Sequence, residues 1–466
     1  MPDLSGLDEI DWAALHHAYG PATDVPDMLR GLASGDAKAM ADFVGAVHHQ
    51  GDVYDSTVAA VPFLLQAAER VEGRDRAELL SLLADLGGVD SYELTLLNDI
   101  HGAYFEWVFT DNNVHPRYPD DYAEAAARGD QDAGAALAVS AGRPFFLRLL
   151  DDPDADVRCG AFLAAASGPL EAATVDTLLE RLRDEANAEV LDVVVTGLGI
   201  TAARVPATVR TTVLERLAET ATAHSRPGVQ LRALMELARR SSDPLPVDAE
   251  TLAATMRRAR AEARAEARAE RLSSARADGP RTCGVGDEWR GSMSPDEVSL
   301  TLGDHVGHRA ALLVRLLHEP DEWDRASVLS AATDLVAGWR GDHRSLIEAV
   351  EALPTASGTG ADTAGFLEAA GQIAEPEAGA VSSSDTEGQD LHALVEDFED
   401  HPTVEVAHAL RDMGPAAAAA APALRRELDE PRRHGLRAEE TIEPDLVGED
   451  EALLLACVEA LAAVTR

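Results

Sequence analysis

Two pairs of adjacent histidines, His16-His17 and His48-His49, are the residues of this chain best suited to chemistry, with Asp52, Tyr54 and Asp55 close behind the second pair. Imidazole and carboxylate groups together ligate transition metals, and successive helix pairs would bring the two histidine pairs side by side. A plainer reading starts from Gly20 and Gly51, which follow the pairs closely and mark helix ends. Histidine there interacts favourably with the last carbonyls of a helix. We therefore expect structural or partner-binding roles, with no metal and no cofactor. His16, His17, His48 and His49 stand as the ligands of the alternative, a metal-dependent enzyme. Further along, His305 and His308 share a helix face, as do His392 and Glu396, where an acidic solvated face is the expected reading.

Aromatic residues offer a second kind of site. Seven of the twenty lie in the segment 91–122: Tyr92, Tyr104, Phe105, Trp107, Phe109, Tyr118 and Tyr122. Tyr104 and Trp107 suit a recognition surface, because aromatics are enriched in interface hot spots. Sealing of the insertion onto its neighbours by a small satellite core is an equal alternative. Asp99, Glu106, Asp111, Asp120 and Asp121 surround these rings, which disfavours stacking on nucleic-acid bases. Phosphate loops, nucleophile elbows, zinc-protease helices and close cysteine pairs do not occur. We expect a non-enzyme whose partner-binding residues are His48, His49, Asp52, Tyr54, Tyr104 and Trp107.

Composition narrows the partner. The 466 residues include 40 Lys and Arg against 83 Asp and Glu, a formal net charge of -43. Nucleic-acid affinity comes largely from cations that neutralise phosphates, so a nucleic acid is excluded and an anionic membrane surface is disfavoured. Hydrophobic residues at 46% give enough apolar surface to fold, unlike a disordered acidic chain. The field favours a basic protein partner, steered over roughly 8 Å at physiological salt. Acids near Met1 to Trp12 replace the positive start of a signal peptide, and no run of eighteen apolar residues appears. Cys159, Cys283 and Cys457 are odd in number and far apart, so a reducing cytoplasm is the expected setting.

These residues need elements to hold them, and the elements repeat. Phe145 to Val157 aligns with Leu178 to Val190 at an offset of 33 residues, which places Leu149 over Leu182 and Asp151 over Asp184. Phe398 to Val406 forms a third copy with Pro402 over Pro153, and Leu316 to Asp324 a looser fourth. Each reads as a helix end, an acidic turn and a new helix start, with Asp152 as the cap and Pro153 at the first helical position. A second element, proline before an apolar residue, recurs at Pro26, Pro62, Pro144 and Pro422. Seven residues after Pro415, Pro422 should kink a continuing helix.

This pattern resembles HEAT repeats, most strongly from Pro144 to Ser167. The stretches Trp12 to Gly20 and His48 to Asp55 are similar to an N-terminal region of bacterial HEAT-repeat proteins without a defined role. The resemblance covers 10–240 best and 391–466 reasonably well. It implies an all-α, HEAT-like superhelix of stacked antiparallel helix pairs, and a scaffold function of adaptor or immunity type. Di-iron deoxyhypusine hydroxylases share that fold but need several His-Glu pairs. His318-Glu319 is the only such dipeptide here, so their chemistry does not carry over.

Seven segments follow. Residues 1–90 read as helical hairpins, 91–122 as the aromatic insertion, and 123–272 as repeats ending in a long Ala/Arg/Glu helix. A loop over 273–300 precedes a degenerate repeat at 301–354, an irregular polar linker at 355–390 and C-terminal repeats at 391–466. In the long helix Arg260, Arg264 and Arg268 stand four apart, as do Glu262, Glu266 and Glu270. Like charges at that spacing repel, so alanine rather than ion pairing is expected to sustain it.

Overall fold

Polar residues at the turns decide where the helices begin. The computed structural model describes residues 4–89, 122–241, 243–274, 293–319, 323–353, 360–374, 391–434 and 444–465. Tyr104 and Trp107, with most of the aromatic insertion, lie outside the described residues. Asp154 caps the helix Ala155–Ala166 through the amide of Asp156, and Asn187 caps Ala188–Arg204 through the amides of Glu189 and Val190. These caps are 33 residues apart, the offset of the repeat, and Thr403 holds the same place before Val404–Met413. The cap is therefore not Asp152. That carboxylate instead accepts from the Asp154 amide at 2.9 Å, which leaves Pro153 inside the turn and starts the helix two residues later. Asn187 carries two backbone bonds, so Asn187→Ala is expected to cost about 1 kcal/mol in a denaturant titration.

The described residues are mostly helical, and the strands among them are a pair of two-residue segments, β1 (His16–His17) and β2 (Gly20–Pro21). Two compact units divide it. The first takes the described residues of 1–100, 114–247 and 254–293, the second those of 248–253 and 294–466.

In the first unit the helices are α1 (Val25–Leu32), α2 (Ala37–Val47), α3 (Asp55–Arg70), α4 (Gly73–Leu86), α5 (Tyr122–Ala127), α6 (Gln131–Ser140), α7 (Arg143–Leu149), α8 (Ala155–Ala166), α9 (Ala172–Asp184), α10 (Ala188–Arg204), α11 (Ala207–Ala223) and α12 (Pro227–Arg240). Helix α8 packs on α4 and on α10, and α10 packs in turn on α12. Flanked on two sides, α8 buries every position from Cys159 to Ala166. An all-round apolar helix of this kind belongs inside a layer. Adjacent repeats are tied by Glu185, which accepts from Arg158 at 3.0 Å and from Arg181 at 2.5 Å. Burial pushes its carboxyl up, but the Asn187 amide and the two guanidiniums outweigh it and hold the carboxyl at about 2.

The long helix α13 (Ala249–Ser274) crosses from the second unit into the first. Its Met256, Ala259 and Ala263 are buried, and Arg226 pairs with Glu262 at 3.0 Å and also with Glu266. Acids that repel along the helix thus attract across it. Ion pairing joins alanine in holding this helix, contrary to the expectation that alanine alone sustains it.

The second unit contains α14 (Pro295–Leu302), α15 (Val306–Leu317), α16 (Arg325–Gly338), α17 (Arg344–Glu351), α18 (Gly360–Ala374), α19 (Leu391–Asp400), α20 (Val404–Met413), α21 (Ala421–Asp429) and α22 (Pro444–Val464). Two segments expected to be irregular are partly helical. Ser294 and Glu297 form a reciprocal capping box that opens α14 inside the 273–300 stretch. Helix α18 occupies much of 355–390, burying Phe366, Ala369 and Ala370 at helical spacing despite its glycines. Nor does Pro422 kink a helix. A 3-10 segment, Gly414–Ala420, comes first, and Pro422 lies in the opening turn of α21, where its missing N–H costs nothing. Phe398, Leu410, Leu424, Leu453 and Cys457 form the core of the C-terminal helices. No described helix is long and apolar enough to cross a membrane.

Candidate functional site

The N-terminal residues 10–24 do not form a helix. A tight hairpin, β1–β2, pairs His16 with Pro21 and His17 with Gly20, and carries Tyr19 at its tip. Helix α3 anchors the hairpin, because Asp55 accepts from the His16 amide at 2.7 Å. His17 is consumed by its own turn. Its Nδ1 accepts from the Tyr19 amide at 3.1 Å, which leaves the proton on Nε2, 3.0 Å from Asp24 Oδ1. With both ring nitrogens engaged, His17 has no lone pair for a metal.

His48 ends α2, and a short turn over His49–Gly51 follows, with Gln50 left-handed at φ 55° and Gly51 at φ 89°. That reversal returns the chain toward the hairpin. The His49 Nδ1 lies 3.2 Å from the Gly45 carbonyl, and its ring meets Tyr19 edge-on at 5.5 Å. Tyr54 precedes α3 and donates its amide to Thr57 Oγ1 at 2.9 Å. The Tyr54 phenol is held above its usual value by desolvation and by Asp52. Tyr19 remains 72% exposed beside these groups.

Helix α6 brings further acids to the same place. A Cβ on Gly134 would stand 3.4 Å from Val58, and one on Gly142 would meet Leu65 and Phe146, so α6 and α3 run side by side in one direction. Their N-termini therefore share an end. Asp130 caps α6 through the Ala133 amide at 3.0 Å. Asp132 is pushed above the ordinary aspartate value, by desolvation first and then by Asp130, with Asp52 adding and His48 opposing. Acids at helix starts are favoured by the dipole, which supplies about half a positive charge per helix. Two such ends against Asp52, Asp55, Asp130 and Asp132 still leave about three negative charges.

Four of the six expected partner-binding residues, His48, His49, Asp52 and Tyr54, thus gather at one end of the first unit, while Tyr104 and Trp107 are not described. Tyr19 and Asp132 were missed. Tyr19 carried a signal in the glycine that follows it, whereas Asp132 is eighty residues from Asp52 in sequence and becomes a neighbour only through α6. Among the described residues no group of three or more His, Cys, Asp or Glu side chains is arranged to hold a metal ion.

A second polar cluster, in the second unit, had no sequence signal because its members are as far as 110 residues apart. Arg340 donates to Asp450 at 2.6 and 2.9 Å and to Glu427 at 2.8 Å. Arg433 donates to the same Asp450 at 3.0 Å and to Glu451 at 2.6 Å. Beside them the guanidiniums of Arg309 and Arg432 lie over the Trp339 ring, 4.0 and 5.1 Å from its centroid. Burial, with Glu427 adding, pushes the Cys457 thiol up to about 12, so it stays protonated and poorly nucleophilic. Comparison with known proteins matched no family model, no curated protein and no solved structure.

Proposed function

We propose that this protein is a non-catalytic interaction scaffold for a basic protein partner, acting in the cytoplasm as an adaptor or as an immunity protein that neutralises a basic effector. The observation that carries the reading is the exposed Tyr19 beside His49, with Asp52 and Asp132 crowded at two adjacent helix starts. A lysine or arginine docked there relieves repulsion among carboxylates and finds aromatic faces at the same time. The wider setting agrees. Helices α4, α8, α10 and α12 pack in chain order, as the second helices of a HEAT-like superhelix would. The whole-chain charge of -43 supplies long-range steering.

The test is affinity capture from native-host lysate at about 50 and 500 mM salt, where screening lengths differ by roughly threefold. A basic protein retained at low salt and released at high salt is expected. The Tyr19→Ala/Asp52→Asn/Asp132→Asn variant should lose it by about tenfold or more, since an aromatic anchor and two charges each contribute on the order of 1 kcal/mol. Equal retention by the variant would reject this surface as the site.

A further inference from the structure

The cluster around Arg340 is unbalanced, and the imbalance points to a device. Its carboxylates are Glu427 on α21, and Asp450 and Glu451 on α22; its guanidiniums are Arg340 after α16 and Arg433 after α21. Three negative charges thus meet two positive ones. Arg433 and Asp450 leave only 1% of their side chains exposed, so water does little to screen the difference. His434 completes the ring. Its Nε2 lies 2.8 Å from Glu427 Oε1, and its amide donates to Asp450 at 3.1 Å. A protonated His434 brings the linked set to neutrality, and a neutral one leaves it a charge short.

We infer that His434 is a proton-operated latch that holds the segment after α21 against the turn after α16 and the start of α22. The segment is also fastened by the Trp339–Arg432 bridge, by the Arg340 amide on the Pro431 carbonyl at 2.9 Å and by the Arg433 amide on the Gly338 carbonyl at 3.1 Å. The Arg433 guanidinium donates to the Val336 carbonyl at 3.0 Å and pairs with Asp450 and Glu451. Among these fastenings, the His434 link is the one that titrates near neutrality. At 43% side-chain exposure His434 can exchange its proton with solvent without unfolding. Every element around it carries charged or titratable groups. Glu430 and Arg432 share its segment, His343 and Asp342 follow Arg340, and Cys457 lies on α22. Asp304 and Arg309 are gathered at Trp339, where Asp304 accepts from the indole at 3.2 Å.

The direction follows from the pairing with Glu427, which raises the His434 value above its ordinary one of about 6.5. Its contribution is full below that ordinary value and is lost as pH rises through the raised one. His343 acts oppositely. Burial lowers its value, so its cost appears only below about 6.5, on the acid side of the latch's window.

Hydrogen exchange of the full chain from pH 6 to 8.5, corrected for intrinsic rates, reads the latch at residues 427–434 and 338–343. Wild-type protection should fall by about fivefold or more across that range. His434→Gln should exchange fast throughout with no step, and His434→Lys should stay protected to pH 8.5. The latch is overturned if the wild type shows no step, if the Gln variant keeps it, or if the Lys variant exchanges as fast as the Gln variant.

Discussion

Asp450→Asn should destabilise the second unit by about 3–5 kcal/mol, because Arg340 and Arg433 lose the carboxylate they share and an amide NH2 is set against their buried donors. Asp450 accepts from Arg340 twice, from Arg433 and from the His434 amide, so one carboxylate joins the turn after α16 to the segment after α21. An asparagine keeps the shape but supplies one acceptor oxygen and no charge. Breaking a buried pair is costly through the partner left behind, not through the net worth of the pair. Replacing Arg340, Glu427, Arg433 and Asp450 together by apolar residues of similar volume should therefore cost less than Asp450→Asn alone. Denaturant dependence of hydrogen exchange in α20–α22 measures both. A loss below about 1 kcal/mol for the single variant would show that the cluster is solvated and weak.

In the first unit the corresponding change is Arg232→Leu. Arg232 on α12 donates to Asp192 on α10 at 3.0 Å, with both residues buried. Burial already raises the Asp192 carboxyl above its ordinary value, with Arg232 opposing and Glu236 adding repulsion. Removing the guanidinium strips the buried Asp192 carboxylate of its cation beside Glu236, which keeps its own pair with Arg239 at 3.1 Å. A loss of about 3–5 kcal/mol at pH 7 is expected. The pH dependence gives the sign: a carboxyl raised in the folded state binds protons preferentially there, so stability is regained as pH falls. The difference between variant and wild type should shrink from pH 7 to pH 4.5. A constant difference would mean that lost packing, not the stranded carboxylate, is responsible. Glycine at 199 belongs to the same contact, since a Cβ there would collide with the Glu236 carboxylate.

Local signals were legible and long-range ones were not. The helix starts at Asp154 and Asn187 keep the spacing of the repeat, and Thr403 holds the equivalent place in the third copy, because turn chemistry is written in a few consecutive residues. The cap itself was misplaced by two residues, since an aspartate before proline satisfies either a cap or a turn, and only the backbone decides. Alanine and glycine in α18 hid a helix whose burial comes from Phe366 and its neighbours on α16 and α22. The candidate site was half visible. His48, His49, Asp52 and Tyr54 lie within one short stretch, whereas Tyr19 joins through a hairpin and Asp132 through a distant helix. Pairings such as Arg226 with Glu262, or Arg340 with Asp450, are properties of packed neighbours and leave no periodicity in the chain.

The most direct measurement is a hydrogen-exchange footprint of the full chain, free and saturated with the basic protein it captures at low salt. Slowed exchange concentrated in residues 15–22, 47–56 and 129–134 is the predicted result, with the effect vanishing at high salt. Protection confined to other helices, or a chain that captures no basic protein at all, would contradict the scaffold account.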